Sequence, residues 1–191
     1  MNLYRIGLKR LLALKRTVFG PVDLTMPRRR EFGVHAGTPV DRYYINRFLQ
    51  QHMAGKYAST LEIGSRQYTG KTTDNSWMFC YSPDGFSVDE SQRTVSGDLS
   101  SIPADGKVQF DCFVLTQTFN FIFDFEKAVD GAMRLLKDNG EMLVTFAGPS
   151  VQISRYDEDR WGDYWRFTPR SARELFNRIA PSGQTEVVSY G

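Results

Sequence analysis

Histidine and cysteine are scarce in this sequence, with two of each among 191 residues. Two cysteines, Cys80 and Cys112, cannot support a disulfide scaffold. Each falls inside an apolar run that reads as a buried strand, where a free thiol acts as a small hydrophobe and fits a reducing compartment. With only His35 and His52 beside them, no metal-ligand cluster is available and none is expected. Long apolar runs are also missing. No stretch approaches the roughly 20 residues of a membrane span, and the apolar residues near the amino terminus are too often interrupted by charge to form a signal peptide. Internal repeats and low-complexity tracts are absent too, which excludes a solenoid.

What remains is a chain of ordinary composition, 41% apolar and 24% charged, long enough for one domain with a real core. Its charge is uneven. Residues 1–30 hold eight Lys/Arg and one acid, Asp23, leaving 16 basic and 21 acidic residues elsewhere. A basic arm (1–30) thus precedes a mildly acidic domain (31–191). Residues 3–19, LYRIGLKRLLALKRTVF, alternate Leu, Ile and Phe with Lys and Arg at roughly helical spacing. That pattern suits a helix lying on an anionic membrane surface or an extension docked on its own domain. Nucleic acid is not expected, because no basic face continues the footprint. Gly20-Pro21 ends the arm helix and MPRRREFGVHAGTP reads as a linker.

From Asp41 the spacing of Tyr44, Ile45, Phe48, Leu49 and Met53 predicts a helix, with His52 on its surface. Strands are expected at 60–64, 76–81, 94–99, 110–118 and 141–148, with a last one in EVVSY. An amphipathic helix is expected over 125–137, capped by Asp124 and closed by Gly140, and another begins at Thr168-Pro169. Strands alternating with helices imply an α/β sandwich with a mostly parallel sheet covered on both faces.

One stretch points at a ligand: LEIGSRQYTGKT (61–72). A phosphate-binding loop needs four residues between its first glycine and Gly-Lys-Thr; here five separate Gly64 from Gly70. The extra residue spoils the curl of backbone N–H groups that a phosphate requires. The dinucleotide fingerprint fails as well, since Arg66 and Thr69 stand where glycines belong. Glu62-Ile63-Gly64, an acid two residues before a glycine at the end of the first strand, suits a nucleoside cofactor without phosphates. Gly64 permits close backbone approach, and the acid complements an ammonium group.

The chain resembles the class I S-adenosyl-L-methionine (SAM) methyltransferases, and within them a bacterial group found near glycosyltransferases in surface-polysaccharide pathways. The residues that carry this are GTPVDRYYINRFL (37–49), LEIGSRQYT (61–69), GDL (97–99), FDCFVLTQTFNFIFD (110–124), LLKDNGEMLVTF (135–146) and, most specifically, ISRYDEDRWGDYWRFTPRSARELF (153–176). The resemblance implies a Rossmann-like three-layer sandwich, SAM as cofactor and a cytoplasmic enzyme, peripheral to the inner face of the membrane if the arm binds lipid. Three departures stand out. Asp138-Asn139-Gly140 replaces the usual Pro-Gly-Gly, with Gly140 expected to keep the positive φ. The ribose-binding acid after the second strand is not evident, Asp84 being the only nearby acid. The sequence also stops before the final strand that the fold calls for.

In open α/β sheets, ligands bind beyond the carboxyl ends of the strands at the switch in strand order. The expected cofactor residues are therefore Glu62, Gly64 and Ser65, Asp98 and Leu99, Gln117 and Thr118, with Arg42 and Tyr43 reaching the methionine carboxylate. By resemblance, Asp98 bonds the adenine amino group and Leu99 donates or stacks nearby. The aromatic and charged segment 155–168 is expected to bind the acceptor, through Arg160, Trp161, Trp165 and Arg166. Aromatic platforms flanked by carboxylates and arginines suit a sugar ring, which favours O-methylation of a glycan or similar polar small molecule. Candidate bases for its hydroxyl are Asp157, Asp159, Asp163 and His35. Two other readings compete: a non-catalytic protein of this fold that docks a partner at a membrane, and a phosphate-loop NTPase in which Lys71 contacts ATP.

Overall fold

The computed structural model describes residues 38–53, 56–105, 108–151, 153, 155–180 and 185–190. The basic arm, the linker and His35 lie outside the described residues. Among the described residues no helix is long and apolar enough to cross a membrane.

Six strands form one sheet: β1 (Thr60–Ile63), β2 (Ser76–Tyr81), β3 (Ser87–Asp89), β4 (Thr94–Gly97), β5 (Phe110–Thr116) and β6 (Leu136–Thr145). Their spatial order is β3-β4-β2-β1-β5-β6. All pairs are parallel except β3 with β4. The chain builds outward from β1 through β2 to β4, then returns to place β5 on the other side of β1. This is the switch point at which open sheets leave a crevice.

Alternation along β5 shows why the sheet needs cover on both faces. Cys112 and Val114 join Ile45, Leu49, Met53 and Leu143 in one cluster. Phe113 and Leu115 join Leu61, Phe79, Val95, Phe119 and Val129 in the other. α1 (Val40–Met53) buries Ile45, Leu49 and Met53 on the first face, as its spacing predicts. α2 (Phe125–Arg134) and α4 (Pro169–Ile179) cover the second. The start of α4 is a full capping box, with Thr168 accepting from Ser171 N and Pro169 in the first turn. A short helix, α3 (Arg155–Trp161), lies between β6 and α4.

Several expectations are corrected. No helix links β1 to β2 or β4 to β5; short 3₁₀ turns, Thr69–Lys71 and Leu99–Ser101, stand there instead. A hairpin strand, β3, is added at the edge. α2 ends at Arg134, and the chain is already in β6 at Leu136. The Asp124 side chain pairs with Lys127 at 2.9 Å rather than capping the helix. The left-handed position in that turn is Asn139 (φ 65°), while Gly140 serves close approach: a Cβ there would lie 3.0 Å from the carbonyls of Lys137 and Phe110. Residues 185–190 form no strand; Tyr190 instead stacks on Tyr44, with ring centroids 5.4 Å apart. Cys112 is buried as expected, but Cys80 is only half-buried.

Candidate functional site

The carboxyl ends of β1, β2, β4, β5 and β6 share one edge of the sheet, which carries Gly64, Ser65, Asp98, Gln117 and Thr118. Glu62 is the most constrained of them. Its side chain is 1% exposed. One carboxylate oxygen accepts from Ser65 Oγ (2.6 Å) and Gln67 N (3.0 Å). The other accepts from Tyr68 N (3.0 Å), Thr69 N (2.8 Å) and Thr69 Oγ1 (2.9 Å). A buried charge is tolerated only when its lone pairs are filled in this way. Glu62 thus staples the loop after β1, with both oxygens accepting from the protein's own donors, and Ser65 is part of the staple.

The same geometry answers the phosphate-loop question. The amides of residues 67–69 converge on an anion, but the anion is the protein's own carboxylate. Gly70 N and Lys71 N point back to the carbonyls of Arg66 and Tyr68. No backbone nest is left for a phosphate, so the NTPase reading has no site here.

Gly64 follows with φ 68°, and a Cβ built on it meets nothing within 4 Å. The backbone at the end of β1 therefore borders open space, the room a closely approaching ligand needs. Asp98, at the end of β4, caps the 3₁₀ turn by accepting from Ser100 N at 2.8 Å through Oδ1. Its other oxygen, Oδ2, has no partner among the described residues. Leu99 turns the other way. Its side chain is 3% exposed and belongs to the core, where its carbonyl packs on Gly131 of α2.

At the end of β5, Gln117 adopts φ 47°, a conformation that a non-glycine residue seldom holds without cause. It is pinned by its N–H donating to Thr145 O (2.9 Å) and Thr145 Oγ1 (3.1 Å). Thr118 Oγ1 donates to Thr116 O, which satisfies the strand end. Asn120 is not legible as a site residue in the sequence, since nothing in FNF marks it. It is 2% exposed, and its backbone oxygen accepts from Tyr164 N (2.8 Å) and Trp165 N (3.2 Å). Its amide oxygen is buried without a partner among the described residues. Arg42 and Tyr43 are exposed on the first turn of α1.

The segment after β6 lies over this edge. Asp163 and Arg166 form a two-pronged pair, one prong at 2.7 Å, and Asp163 has a side chain only 1% exposed. Arg166 also donates to Val151 O and Trp165 O. Hydrogen bonding to Asp163 raises the guanidinium pKa above its ordinary value. Both residues hold the segment together. Trp165 donates its indole N–H to the carbonyls of Ile122 and Phe123 at 3.1 Å. Beside it, Phe123 (66% exposed) and Tyr164 (50%) meet edge to face at 5.5 Å. Phe123 is not expected at the site from the sequence, because it reads as part of an apolar run. Asp159, Arg160 and Trp161 are exposed on α3, and Asp157 is partly so. The Arg160 guanidinium lies 4.8 Å from the Trp161 ring.

Two clefts are lined by residues other than the candidate site residues, and the first lies beside the turn that Asp98 caps. The first is a space of about 220 Å³ lined by Ser100, Lys127, Asp130 and Arg134, in which Arg134 is paired with Asp130. The other, about 330 Å³, is lined by Phe86, Ser87, Val88 and Pro103. Neither cleft is lined by Gly64, Asp98, Gln117 or Asn120. No group of three metal-ligating side chains occurs among the described residues.

Residues 56–144 match the family model described as a methyltransferase domain. No curated protein matches the chain. Among solved structures, the chain is similar to a putative methyltransferase in complex with the Haloferax volcanii Trm112 methyltransferase activator. Identity there is 15%, over 80% of this chain and 77% of that one, with a TM-score of 0.51. It is also similar to the N-methyltransferase NodS from Bradyrhizobium japonicum WM9 in complex with S-adenosyl-L-homocysteine, at 16% identity over 80% and 79% of the two chains and a TM-score of 0.48. A possible histamine N-methyltransferase from Thermotoga maritima shares 18% identity over 73% and 72%, with a TM-score of 0.47.

Proposed function

We propose that this SAM-dependent methyltransferase, with its methyltransferase domain at residues 56–144, transfers its methyl group to a hydroxyl of a glycan or similar polar acceptor. The resemblance to a group encoded near glycosyltransferases adds a surface polysaccharide as the acceptor's source. The observation that carries the proposal is the segment after β6. It sets the exposed face of Tyr164, packed edge to face on Phe123 from the turn after β5, among carboxylates and arginines at the sheet edge where Gly64 borders open space. Such a face covers the apolar side of a sugar ring while the charged groups reach its hydroxyls.

The crevice fits the cofactor. Gly64 borders room that a side chain would fill, Asp98 Oδ2 is an acceptor for an adenine amino group, and Asn120 presents a buried acceptor beside the post-β5 turn. Arg42 and Tyr43, exposed on the first turn of α1, are the proposed partners of the methionine carboxylate. When bound, SAM supplies an electrophilic methyl group on a sulfonium centre. The chain's contribution is alignment and exclusion of water, plus removal of the acceptor's proton as the oxygen–carbon bond forms and the carbon–sulfur bond breaks. Asp157 and Asp159, on α3, are the proposed bases, with His35 as a further candidate outside the described residues. Asp163 is the weakest candidate, because its carboxylate is already committed to Arg166.

Incubation with methyl-tritiated SAM and a panel of polysaccharide fragments tests the proposal. Label is expected in an alkali-stable ether on a sugar oxygen, reduced at least tenfold by Asp159→Asn or Asp157→Asn. Label on an amine, or none on any glycan, sinks the acceptor assignment.

A further inference from the structure

The ring of Trp161, at the end of α3, meets the ring of Tyr81, the last residue of β2, edge to face with centroids 6.0 Å apart. The contact is informative because of where its two halves come from. α3 follows β6, and β6 is three positions from β2 in the sheet, with β5 and β1 between them. At about 4.8 Å per strand, that separation is roughly 14 Å. The contact therefore brings a residue that follows β6 to the carboxyl end of β2, with the ends of β5 and β1 lying between the two strands.

Both rings keep much of their surface in solvent, 43% for Trp161 and 56% for Tyr81. A pair of this size, half-exposed and held together across a crevice, is incompletely used by the protein itself. It stands at the end of β2, where this chain offers no acid for a ribose. Asp84 is exposed in the turn beyond, its N–H donating to Ser82 Oγ.

We propose that Tyr81 and Trp161 form an aromatic clasp that closes the adenosine end of the cofactor crevice, and that Trp161 is a cofactor-binding rather than an acceptor-binding residue. The inference rests on the methyltransferase reading and assigns this chain's substitute for a ribose acid. The clasp gives the nucleoside apolar face contact where a carboxylate would give hydrogen bonds. It lies at the nucleoside end, so it does not discriminate the charge at sulfur. Arg160, over the Trp161 ring, orients that ring from its outer side.

The test is equilibrium titration of the full chain with S-adenosylhomocysteine and with 5′-deoxy-5′-methylthioadenosine, which lacks the amino-acid portion. Tyr81→Ala and Trp161→Ala are each expected to weaken both ligands by the same factor, about tenfold or more, the scale on which alanine substitution of a stacking aromatic weakens binding of a base. Trp161→Phe should stay within about threefold, and the double alanine variant should weaken binding by less than the product of the two single effects. Both positions are half-exposed, so thermal midpoints should barely move. The clasp is overturned if wild type binds both ligands while Trp161→Ala binds them equally well, whether that variant then shows only a higher acceptor KM or only a lower melting point. Failure of wild type to bind S-adenosylhomocysteine would overturn the methyltransferase reading beneath it.

Discussion

Glu62 shows how a residue can be conspicuous in a sequence while its task is not. An acid two residues before a glycine marks the end of the first strand, and that much is legible. The direction of its carboxylate is not, because it depends on where the next seven residues fold. Ser65, Gln67, Tyr68 and Thr69 bring five donors to it, and only the folded loop reveals that convergence. Leu99 is the converse case: next to Asp98 in sequence, it is carried by the 3₁₀ turn into the core. Glu62→Gln replaces an oxygen facing donors with an amide nitrogen, leaving buried N–H groups opposed. The expected loss is about 3 kcal/mol, or roughly 6–12 °C in thermal midpoint for a chain of this size, together with weaker binding of S-adenosylhomocysteine as the loop beside Gly64 loosens. Lys71→Ala, on the outer side of the same loop, should change neither. A melt of Glu62→Gln matching wild type would mean that the staple contributes nothing to stability.

At the level of elements, helical spacing located α1, short apolar runs located β1, β2 and β5, and the Thr168-Pro169 cap located the start of α4. These signals failed where pairing or local geometry decides. β3 is three residues whose strand character comes from β4 beside it. EVVSY has the composition of a strand but no partner in the sheet, and strand propensity is largely a matter of neighbours. β6 begins earlier than its apolar run, carried through Asn139 in a left-handed conformation with a register shift against β5. α3 lacks an apolar stripe and reads as a loop. The seam between α2 and the turn after β4 turns on one glycine. A methyl group on Gly131 would lie 1.9 Å from the carbonyl oxygen of Leu99, so helix and turn approach backbone to backbone. In an exposed helix Gly→Ala stabilises by about 1 kcal/mol; here the sign should reverse. Gly131→Ala is expected to destabilise by about 1–3 kcal/mol or more, seen as a lower denaturation midpoint with an unchanged m-value.

Across the whole molecule the two edges of the sheet are held by different means. The carboxyl edge carries the crevice and its aromatic cover. The amino edge is tied by carboxylates. Asp111 Oδ2 accepts from Ser59 N and Ser59 Oγ, both at 2.8 Å, while Oδ1 takes Lys137 at 2.9 Å. This joins the residue before β1 to β5 and β6. Glu141 receives Lys56 at 2.9 Å and the Tyr57 hydroxyl at 2.5 Å. The Lys137 hydrogen bond chiefly holds the Asp111 carboxyl below its ordinary pKa, as Lys56 and then Tyr57 do for Glu141. Burial first, and Glu141 second, push the Tyr57 phenol above its usual range, so it stays a donor. Burial pushes the neighbouring Cys112 thiol up to about 12, which keeps it out of thiolate chemistry. A carboxylate whose folded pKa is depressed stabilises the fold above its unfolded value, near 4, and loses that contribution as pH falls through the folded value. The amino edge should therefore weaken first in acid. Asp111, with a side chain 30% exposed against 46% for Glu141, is the less screened and should matter more. Asp111→Asn is expected to melt below wild type at pH 7 and to lose less than wild type from about pH 4 downward, the two curves converging in acid, whereas Glu141→Gln should show a smaller gap that 1 M salt further narrows. Parallel curves for Asp111→Asn and wild type through that interval would place the acid sensitivity elsewhere in the molecule.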